Sequence, residues 1–333
     1  MKILVIDSNN LQFRVWASFQ EGRSGPLQTS MGVPTSIVFG MLRSLEAFTK
    51  MAQVDKTICC YDVGGGSKYR KELFPHYKGN REYKDMGAYF EESDSCRGYF
   101  KIFGINQAVC RGIEADDIIG WLAKKLSREG HNVTIYSDDK DYYQLLSKRV
   151  KIYRPCKEAF FTKKDLLAEH GADFKPLYLP RIDALVGQEK DNIPGACELD
   201  ERGVMIKFGF GPAKAKKLLE PHWKLSKVRE KLCFASGIAE KFQRQLLKNW
   251  EQVQLSYKLA RIRQRDDEYT SDELEVLDGV YAAANEGTAI SAKVVVKLVR
   301  DLEMSSIHIV PLLKSIGVNI IGKDKQKGVK IKT

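Results

Sequence analysis

Three carboxylates fall within four positions at the start of an amphipathic helix, in the stretch 111–122 (RGIEADDIIGWL). Glu114, Asp116 and Asp117 precede a run in which apolar residues recur at helical spacing, which predicts one buried helix face. The apolar positions of that face are Ile118, Ile119, Leu122 and Leu126. Because the dipole of a helix favours negative charge at its start, an acidic cap is one interpretation. The other is a site where these carboxylates meet acidic residues from elsewhere in the chain.

Further aspartates follow apolar runs that have the character of buried strands. The alternation of these runs with helical segments such as Ile37–Ala52 and Tyr142–Leu146 predicts an α/β fold with a mostly parallel central sheet. The carboxyl ends of parallel strands meet at one edge, so the aspartates are expected to converge there. Converging carboxylates repel one another unless cations lie between them, which favours a metal site. The runs and their aspartates are Lys2–Ile6 with Asp7, Thr57–Tyr61 with Asp62, and Asn132–Tyr136 with Asp138, Asp139 and Asp141; Val150–Tyr153 is a further predicted strand.

The net charge of the 333-residue chain is +11. If acidic residues gather at one site, the remaining surface is more basic still, which favours a polyanionic substrate such as nucleic acid. A basic surface that serves only solubility is the alternative. Seven cysteines without a C-x-x-C pair indicate reduced thiols, and the scattered histidines suggest no zinc site. With no signal-peptide pattern and no apolar run of transmembrane length, we expect a soluble, intracellular (cytoplasmic) protein with no membrane partner.

Basic residues alternate with tyrosines between Lys68 and Arg97. A single-stranded nucleic acid requires positive charge for its phosphates and aromatic rings for its bases. A solvated helical surface with incidental tyrosines is the alternative. The preceding glycines, Gly64–Gly66, lack the spacing of a phosphate loop and are interpreted as a flexible hinge.

The second half of the chain contains an acidic loop, 185–195 (LVGQEKDNIPG), and a glycine turn, Gly209–Gly211. The helix after the glycine turn begins with several lysines, and backbone amides beside lysines at a helix start favour contact with a phosphate backbone. An ordinary helix hairpin is the alternative. Mainly helices are expected from about 266 onwards, and the lysine-rich tail Gly322–Thr333 is expected to be frayed or to contact phosphates non-specifically.

Seven segments of the chain resemble the 5′-nuclease family, which includes phage 5′–3′ exonucleases, flap endonucleases and the 5′-nuclease domains of bacterial DNA polymerases. They occur in the family's order and cover roughly residues 1–219. YKGNR and EADD together are highly specific, and a chain without polymerase motifs is most similar to the phage type. The segments are VIDSNN (5–10), YD (61–62), YKGNR (77–81), GIEADD (112–117), DKDYYQLL (139–146), DNIPG (191–195) and GFG (209–211).

The resemblance implies a PIN-like 5′-nuclease fold with a helical arch at about 64–100 and a helix-three-turn-helix region that grips duplex DNA. The implied division is a metal-dependent nuclease core at 1–175, the DNA-binding region at 176–265, and a C-terminal helical extension with a basic tail at 266–333. It also implies two sites for Mg²⁺, for which Mn²⁺ can substitute, and oxygen-only ligands suit these ions better than zinc. The implied ligands are Asp7, Asp62, Glu114 and Asp116 at the first site and Asp139 and Asp141 at the second, with Asp117 and Asp191 supporting through water.

The resemblance further implies that Lys78 and Arg81 are catalytic, as cations that stabilise charge on the scissile phosphate. Tyr77 would stack on a terminal base, and the Gly209–Gly211 hairpin would also bind K⁺. The full set implied to contact DNA is Arg70, Tyr77, Lys84, Gly209, Gly211, Lys214 and Lys216.

The implied activity is structure-specific hydrolysis of phosphodiesters at 5′ ends or flaps of DNA, and RNA primers are a further possible substrate. The resemblance places this activity in replication, repair or recombination, with replication proteins as possible partners. The alternative is a DNA-structure-binding protein of the same fold with attenuated catalysis. A single-strand ribonuclease of the PIN type is disfavoured by the arch motif and the glycine hairpin.

Two features depart from the family pattern. The family's loop usually reads G-D-x-x-D-N, and its first aspartate, a second-site metal ligand, is Gln188 here. An amide brings no charge, so the second metal is expected to bind more weakly; Glu189 substitutes if the loop is shifted by one residue. The second departure is Ala196–Lys207, where the family usually has a shorter connection to the glycine hairpin.

Overall fold

The computed structural model describes residues 1–322 apart from 23–24, 82–85, 221–222, 233–236 and 287–288. Its central sheet contains β1 (Lys2–Asp7), β2 (Lys56–Tyr61), β3 (Asn106–Val109), β4 (Asn132–Tyr136), β5 (Val150–Arg154) and β6 (Ala159–Phe161). The strands are arranged in the order β3-β2-β1-β4-β5-β6. Neighbours are parallel except for β6, which is antiparallel to β5. The prediction of an α/β fold with a mostly parallel central sheet is therefore confirmed.

Helices connect and follow these strands. Up to β4 they are α1 (Ser8–Glu21), α2 (Ser36–Thr49), α3 (Lys68–Leu73), α4 (Gly87–Ile102) and α5 (Ala115–Arg128). After β6 they are α6 (Lys163–His170), α7 (Leu179–Val186), α8 (Pro212–Leu219), α9 (Leu225–Lys231), α10 (Glu240–Lys248), α11 (Trp250–Ala260), α12 (Ser271–Glu286), α13 (Ala292–Asp301) and α14 (Ile309–Ser315). Two small ladders pair β7 (Glu198–Leu199) with β8 (Met205–Ile206), and β9 (Ile290–Ser291) with β10 (Ile320–Ile321).

The central strand β1 shows why the sheet is covered on both faces. Successive side chains of a strand point to opposite faces, and both faces of β1 are apolar. Ile3 and Val5 belong to the hydrophobic cluster that includes α5. Leu4 and Ile6 belong to the cluster that includes α1 and α2. A continuous apolar run of this kind is typical of a strand buried between two helix layers.

Some predicted elements differ from those observed. The segment predicted as a helix at Tyr142–Leu146 is a 3₁₀ turn at Lys140–Leu145, capped by Asp139. Strand β3 was not predicted, because its sequence NQAV carries two polar residues and only short apolar character. Strand β6 is an antiparallel edge of three residues, too short to be recognised from alternation.

Helix α4 belongs to the core, although it lies in the segment expected to form the arch. Tyr89, Cys96 and Phe100 of this helix are buried in the same cluster as α1 and α2. The C-terminal helices α13 and α14 join that cluster through Val295 and Leu313. Hence residues beyond 266 help to cover one face of the sheet.

Within the described ranges, no helix is long and apolar enough to span a membrane. The six cysteines described there are free thiols.

Candidate active site

Two carboxylates come from the ends of the adjacent strands β1 and β2. Asp7 ends β1, where its Oδ1 accepts a hydrogen bond from the Asn10 amide at 3.2 Å and its Oδ2 accepts one from the Ser137 hydroxyl at 2.9 Å. Asp62 directly follows β2, and its Oδ1 accepts a hydrogen bond from the Ala115 amide at 2.6 Å. Since Ala115 is the first residue of α5, Asp62 holds the start of this helix against the strand ends.

Glu114 and Asp116 belong to the start of α5 and join the same cluster. Buried Glu114 accepts a hydrogen bond from Lys78 Nζ at 2.5 Å and another from Arg70. Burial alone would raise the pKa of Glu114, but Arg70 and Lys78 lower it to about 2. Asp116 accepts a hydrogen bond from the Tyr142 hydroxyl at 2.5 Å. Burial raises the pKa of Asp116 well above its ordinary range, and neighbouring aspartates add to the rise against the effect of Lys78.

The residues after β4 form a second acidic group at a cavity of about 440 Å³. There the ammonium group of Lys190 contacts Asp139, and Gln188 Nε2 donates a hydrogen bond to Asp141 at 3.0 Å. Burial and the charge of Asp139 raise the pKa of Asp141 to about 6. Gln188 thus faces the second acidic group, with its nitrogen toward Asp141 because an ionised carboxylate only accepts.

Glu189 was the alternative to Gln188 at this place. The Glu189 carboxylate instead forms an ion pair of 2.5 Å with Lys207.

The loop that carries Asp191 holds the segment of Lys78 and Arg81. The Lys78 amide donates a hydrogen bond to the Asp191 carbonyl at 2.9 Å, and the guanidinium group of Arg81 pairs with the Asp191 carboxylate. Lys78 also reaches Glu114. The two cations predicted to be catalytic therefore lie against the carboxylates.

Asn192 joins three segments beside this loop. It is fully buried and has a left-handed backbone with φ of 50°. Its Nδ2 donates hydrogen bonds to the carbonyls of His76 at 2.8 Å and Gly203 at 2.9 Å, and its Oδ1 accepts one from the Met205 amide at 3.2 Å. The segment that lengthens this region of the sequence, Ala196–Lys207, thus contains the β7–β8 hairpin. Asn192 joins this hairpin to His76 and to the Asp191 loop.

The donor chemistry of the cluster fits a divalent cation. Burial, together with neighbouring aspartates, raises the pKa of Asp7 to about 6, and an oxygen-only donor set suits Mg²⁺ or Mn²⁺. In the described part of the chain, no group of three or more His, Cys, Asp and Glu side chains is arranged so that it could hold a metal ion as it stands. The ammonium groups of Lys78 and Lys190 instead neutralise Glu114 and Asp139.

Two residues expected at the metals or the DNA belong instead to a buried ion-pair network. The fully buried Asp117 carboxylate accepts two hydrogen bonds of 2.9 Å from Arg70 and two of 2.9 Å from the amide and Nε of Arg263. Because its oxygens are taken up by arginines, the prediction that Asp117 supports a metal is wrong. Arg70 is 3% exposed and pairs with Glu114 and Asp117, so the prediction that it contacts DNA is also wrong.

The prediction for Tyr77 is corrected as well. Its side chain is 3% exposed and packs in a small core cluster with Phe74 and Ile193, so it has no face available to a terminal base. The Lys78 ammonium lies 5.1 Å from the centre of its ring, and Tyr77 therefore packs beneath the lysine. Lys84, also predicted to contact DNA, lies outside the described residues.

The glycine turn and its lysines lie together at the start of α8. Gly209 has a left-handed φ of 77°, and Gly211 occupies the N-cap position of the helix. Lys214 Nζ donates a hydrogen bond to the Gly209 carbonyl at 2.9 Å, and Lys216 Nζ donates one to the His170 carbonyl at 2.7 Å. Their contact with duplex DNA stays a prediction.

Two residues near the site were not singled out from the sequence. Asp183 is a partly exposed carboxylate of α7, and burial with the nearby charge of Asp141 raises its pKa to about 8, opposed by a hydrogen bond from Gln188. Its sequence neighbours gave no signal for this position. Arg263 is 146 positions from Asp117 and carries no local signal.

A parallel α/β sheet that gathers carboxylates at the carboxyl ends of its strands, with cations held over them, is typical of a phosphodiester-cleaving nuclease. The chain belongs to the 5′-3′ exonuclease family, because the family model for the 5′-3′ exonuclease N-terminal resolvase-like domain matches residues 2–171. The resemblance inferred from the sequence is thereby confirmed.

Full-length relatives agree with this assignment. The 5′-3′ exonuclease of Aquifex aeolicus (strain VF5) is 30% identical over 279 residues, which are 83% of this chain and 87% of the relative. The 5′-3′ exonuclease of Bacillus subtilis (strain 168) is 30% identical over 265 residues, 78% of this chain and 83% of the relative. The fold is shared with the flap endonuclease of bacteriophage T5 in a pseudo-enzyme-product complex with DNA and metal ions, at a TM-score of 0.62 and 18% identity over 94% of this chain and all of that one.

Proposed function

We propose that this chain is a divalent-metal-dependent 5′-nuclease that hydrolyses phosphodiesters at 5′ ends or flaps of DNA, and of RNA primers on DNA, in replication, repair or recombination. The observation that carries the proposal is the contact of Lys78 with the carboxylate cluster, at Glu114. Membership of the 5′-3′ exonuclease family supports the activity. The metal ions and DNA bound to the T5 flap endonuclease support the cofactor and the partner.

The cofactor we propose is Mg²⁺, with Mn²⁺ able to replace it. Bound divalent cations would lower the pKa of the attacking water and neutralise charge on the scissile phosphate. Gln188 brings no charge to the second acidic group, so the second ion is expected to bind more weakly. A K⁺ ion at the Gly209–Gly211 turn would compete with Lys214 for the Gly209 carbonyl. The proposed ligands are Asp7, Asp62, Glu114 and Asp116 at the first site, Asp139 and Asp141 at the second, and Asp191 through water.

Lys78 and Arg81 are proposed to stabilise the negative charge that develops on the phosphate oxygens. Lys78 is held by Glu114 and by the Asp191 carbonyl, and Arg81 by the Asp191 carboxylate. These contacts orient both cations before the substrate arrives, and preoriented charges need little reorganisation during the reaction. Lys214 and the amides of the glycine turn are proposed to hold the backbone of the duplex.

We also propose a division of labour along the chain. Residues 1–175 would form the nuclease core with the arch, 176–265 the duplex-binding region, and 266–333 a helical segment with a basic tail.

Cleavage of a 5′-labelled flap substrate in Mg²⁺ tests the proposal. Asp116→Asn is expected to reduce cleavage to background, because an uncharged amide cannot replace a negatively charged metal ligand. The affinity of the variant for duplex DNA, measured by fluorescence anisotropy, should stay within about twofold of the wild type. The exposed aspartate Asp173 offers a control, and Asp173→Asn should cut like the wild type.

The DNA-structure-binding alternative is favoured by Gln188 alone and predicts a different outcome. In that case the wild-type protein binds the flap but leaves it intact in both Mg²⁺ and Mn²⁺, and the nuclease proposal fails.

A further inference from the structure

The carboxylate of Asp183 carries an uncompensated charge beside the second acidic group. It receives a hydrogen bond from Gln188 and lies near the charge of Asp141. Among the residues that the structure describes, no lysine, arginine or histidine forms an ion pair with Asp183. Asp183 also begins the last turn of α7, which holds no basic residue, and the dipole of a helix disfavours negative charge at this end. The fold therefore leaves this carboxylate without a cation of its own.

The side-chain amide of Gln188 links Asp183 to the second acidic group. Its Nε2 donates a hydrogen bond to Asp141 Oδ1 at 3.0 Å, and the same side chain forms the hydrogen bond with Asp183. The amide thus joins two carboxylates that repel each other when both are ionised. Because the amide is neutral, it separates these two charges without neutralising either of them.

Two of the acidic residues that line the cavity of this group have partners elsewhere. Asp138 accepts hydrogen bonds of 3.2 and 3.1 Å from the backbone amide of Cys156. Glu189 is paired with Lys207. Neither residue is therefore available to add its charge to the group, whereas Asp183 is.

The charge of the group matches one divalent cation once Asp183 is counted. The charge of Asp139 is balanced by the ammonium group of Lys190. Asp141 and Asp183 together then carry two negative charges when they are ionised, and carboxylates with this total charge suit a divalent cation. Without Asp183 the group would have a single net charge, because Gln188 brings none.

We propose that Asp183 is a ligand of the second divalent cation together with Asp139 and Asp141, and that it supplies the charge that Gln188 lacks. The inference rests on the proposed nuclease function and adds a residue to its second metal site. The lower affinity expected from Gln188 is then offset by a carboxylate from the preceding helix. Positions 183 and 188 are alternative sources of the same charge, because both side chains lie close to Asp141.

Binding of Mn²⁺ to the full chain in the absence of DNA tests this assignment without any cleavage. Electron paramagnetic resonance of the free ion gives the number of bound ions and the affinity of each. The wild type is expected to bind two. Asp183→Asn keeps an oxygen that can accept a hydrogen bond but removes the charge. It should weaken the second ion about 10–100-fold, the loss found when a group that supports metal ligands is removed, and leave the first unchanged.

Moving the charge to the neighbouring position distinguishes ligation from a loss of local structure. The double variant D183N/Q188D should restore the affinity of the second ion to nearly that of the wild type, because it returns a carboxylate beside Asp141. Q188D alone should bind the second ion more tightly than the wild type. The control is Asp173→Asn, at an exposed aspartate, which should bind both ions as the wild type does.

Three results would overturn the assignment. The D183N variant would bind both ions like the wild type or lose the first ion as well; the double variant would fail to recover the second ion; or the wild type would bind a single ion. The nuclease proposal fails separately. A wild type that binds two Mn²⁺ ions with this dependence on Asp183, but leaves the flap intact in Mg²⁺ and Mn²⁺, would contradict the nuclease proposal and retain Asp183 as a metal ligand.

Discussion

At the scale of single residues, the buried carboxylate of Asp7 makes the stability of the protein depend on pH. Burial and neighbouring aspartates raise the pKa of Asp7 from 3.8 to about 6. The folded protein therefore holds this proton more tightly than the unfolded chain, and the metal-free protein loses stability as the pH rises from about 4 through 6. A divalent cation that neutralises the carboxylate should reverse this loss above pH 6.

Asp7→Asn removes the buried charge and keeps an oxygen that can accept from the Asn10 amide. In EDTA at pH 7.5 we expect the variant to gain on the order of 1–2 kcal/mol in free energy of unfolding, and to show a smaller rise in Tm with Mn²⁺ than the wild type. Scanning calorimetry at pH 5 and 7.5 measures both effects, with Asp173→Asn as control. A variant less stable than the wild type in EDTA at pH 7.5 would contradict the repulsion argument.

The sequence predicted some of these residues and misassigned others for a geometric reason. Asp7 and Asp62 could be found because each follows an apolar strand, and parallel strand ends converge. Asp116 and Asp117 are adjacent in the sequence, but consecutive residues of a helix are rotated by about 100°. Asp116 therefore faces the cluster and Asp117 the interior, and the two arginines that neutralise Asp117, Arg70 and Arg263, are both remote in sequence.

At the scale of elements, the β7–β8 hairpin contacts the segment that leads to Lys78. Gly203 has a left-handed φ of 75°, and a Cβ there would lie 2.4 Å from the ring of His76, two residues before Lys78. Such a hairpin could not be predicted, because its strands have two residues each and are stabilised by contacts with Asn192 rather than by their own pattern.

Gly203→Ala is expected to displace the segment that carries Lys78 and to lower the single-turnover cleavage rate several-fold with little change in duplex affinity. The backbone strain itself costs about 1–3 kcal/mol. Gly130→Ala is the matched control, since Gly130 also has a left-handed φ, of 89°, but its Cβ would meet nothing within 4 Å. If both variants lose the same fraction of the single-turnover cleavage rate, backbone strain alone causes the loss, and the contact with His76 does not.

The buried network of Asp117 joins the start of α5 to the C-terminal helices. Arg263 donates hydrogen bonds to Asp117 at 2.9 Å and to Glu273 of α12 at 3.1 Å. Arg263→Leu leaves Asp117 with a single cationic partner in the interior, and we expect it to lower the free energy of unfolding by about 3–5 kcal/mol in urea denaturation. The control is Arg265→Ala, at an exposed arginine paired with Asp267, which should lower the free energy of unfolding by less than about 1 kcal/mol. Similar losses of stability in the two variants would refute a structural role for the network.

At the scale of the whole molecule, the net charge of +11 predicts that the proposed binding of DNA depends strongly on salt. Each phosphate neutralised by a lysine or arginine contributes about −0.9 to the slope of log affinity against log salt. Lys214→Ala should weaken duplex binding uniformly across sequences and reduce that slope by about 1. Titrations of a labelled duplex between about 50 and 200 mM salt measure the slope, and an unchanged slope would remove Lys214 from the interface.

The order of the central sheet also fixes when the cluster can form as the protein is made. Strand β1 lies between β2 and β4, so Ile6 pairs with both Cys59 and Tyr136, and the second partner leaves the ribosome some 130 residues after the first strand. Until then one side of β1 has no neighbour, and contacts so distant in sequence are slow to form. The nascent chain therefore holds Asp7 and Asp62 without Asp139 and Asp141, and the proposed site lacks its second acidic group until more than a third of the chain has been synthesised.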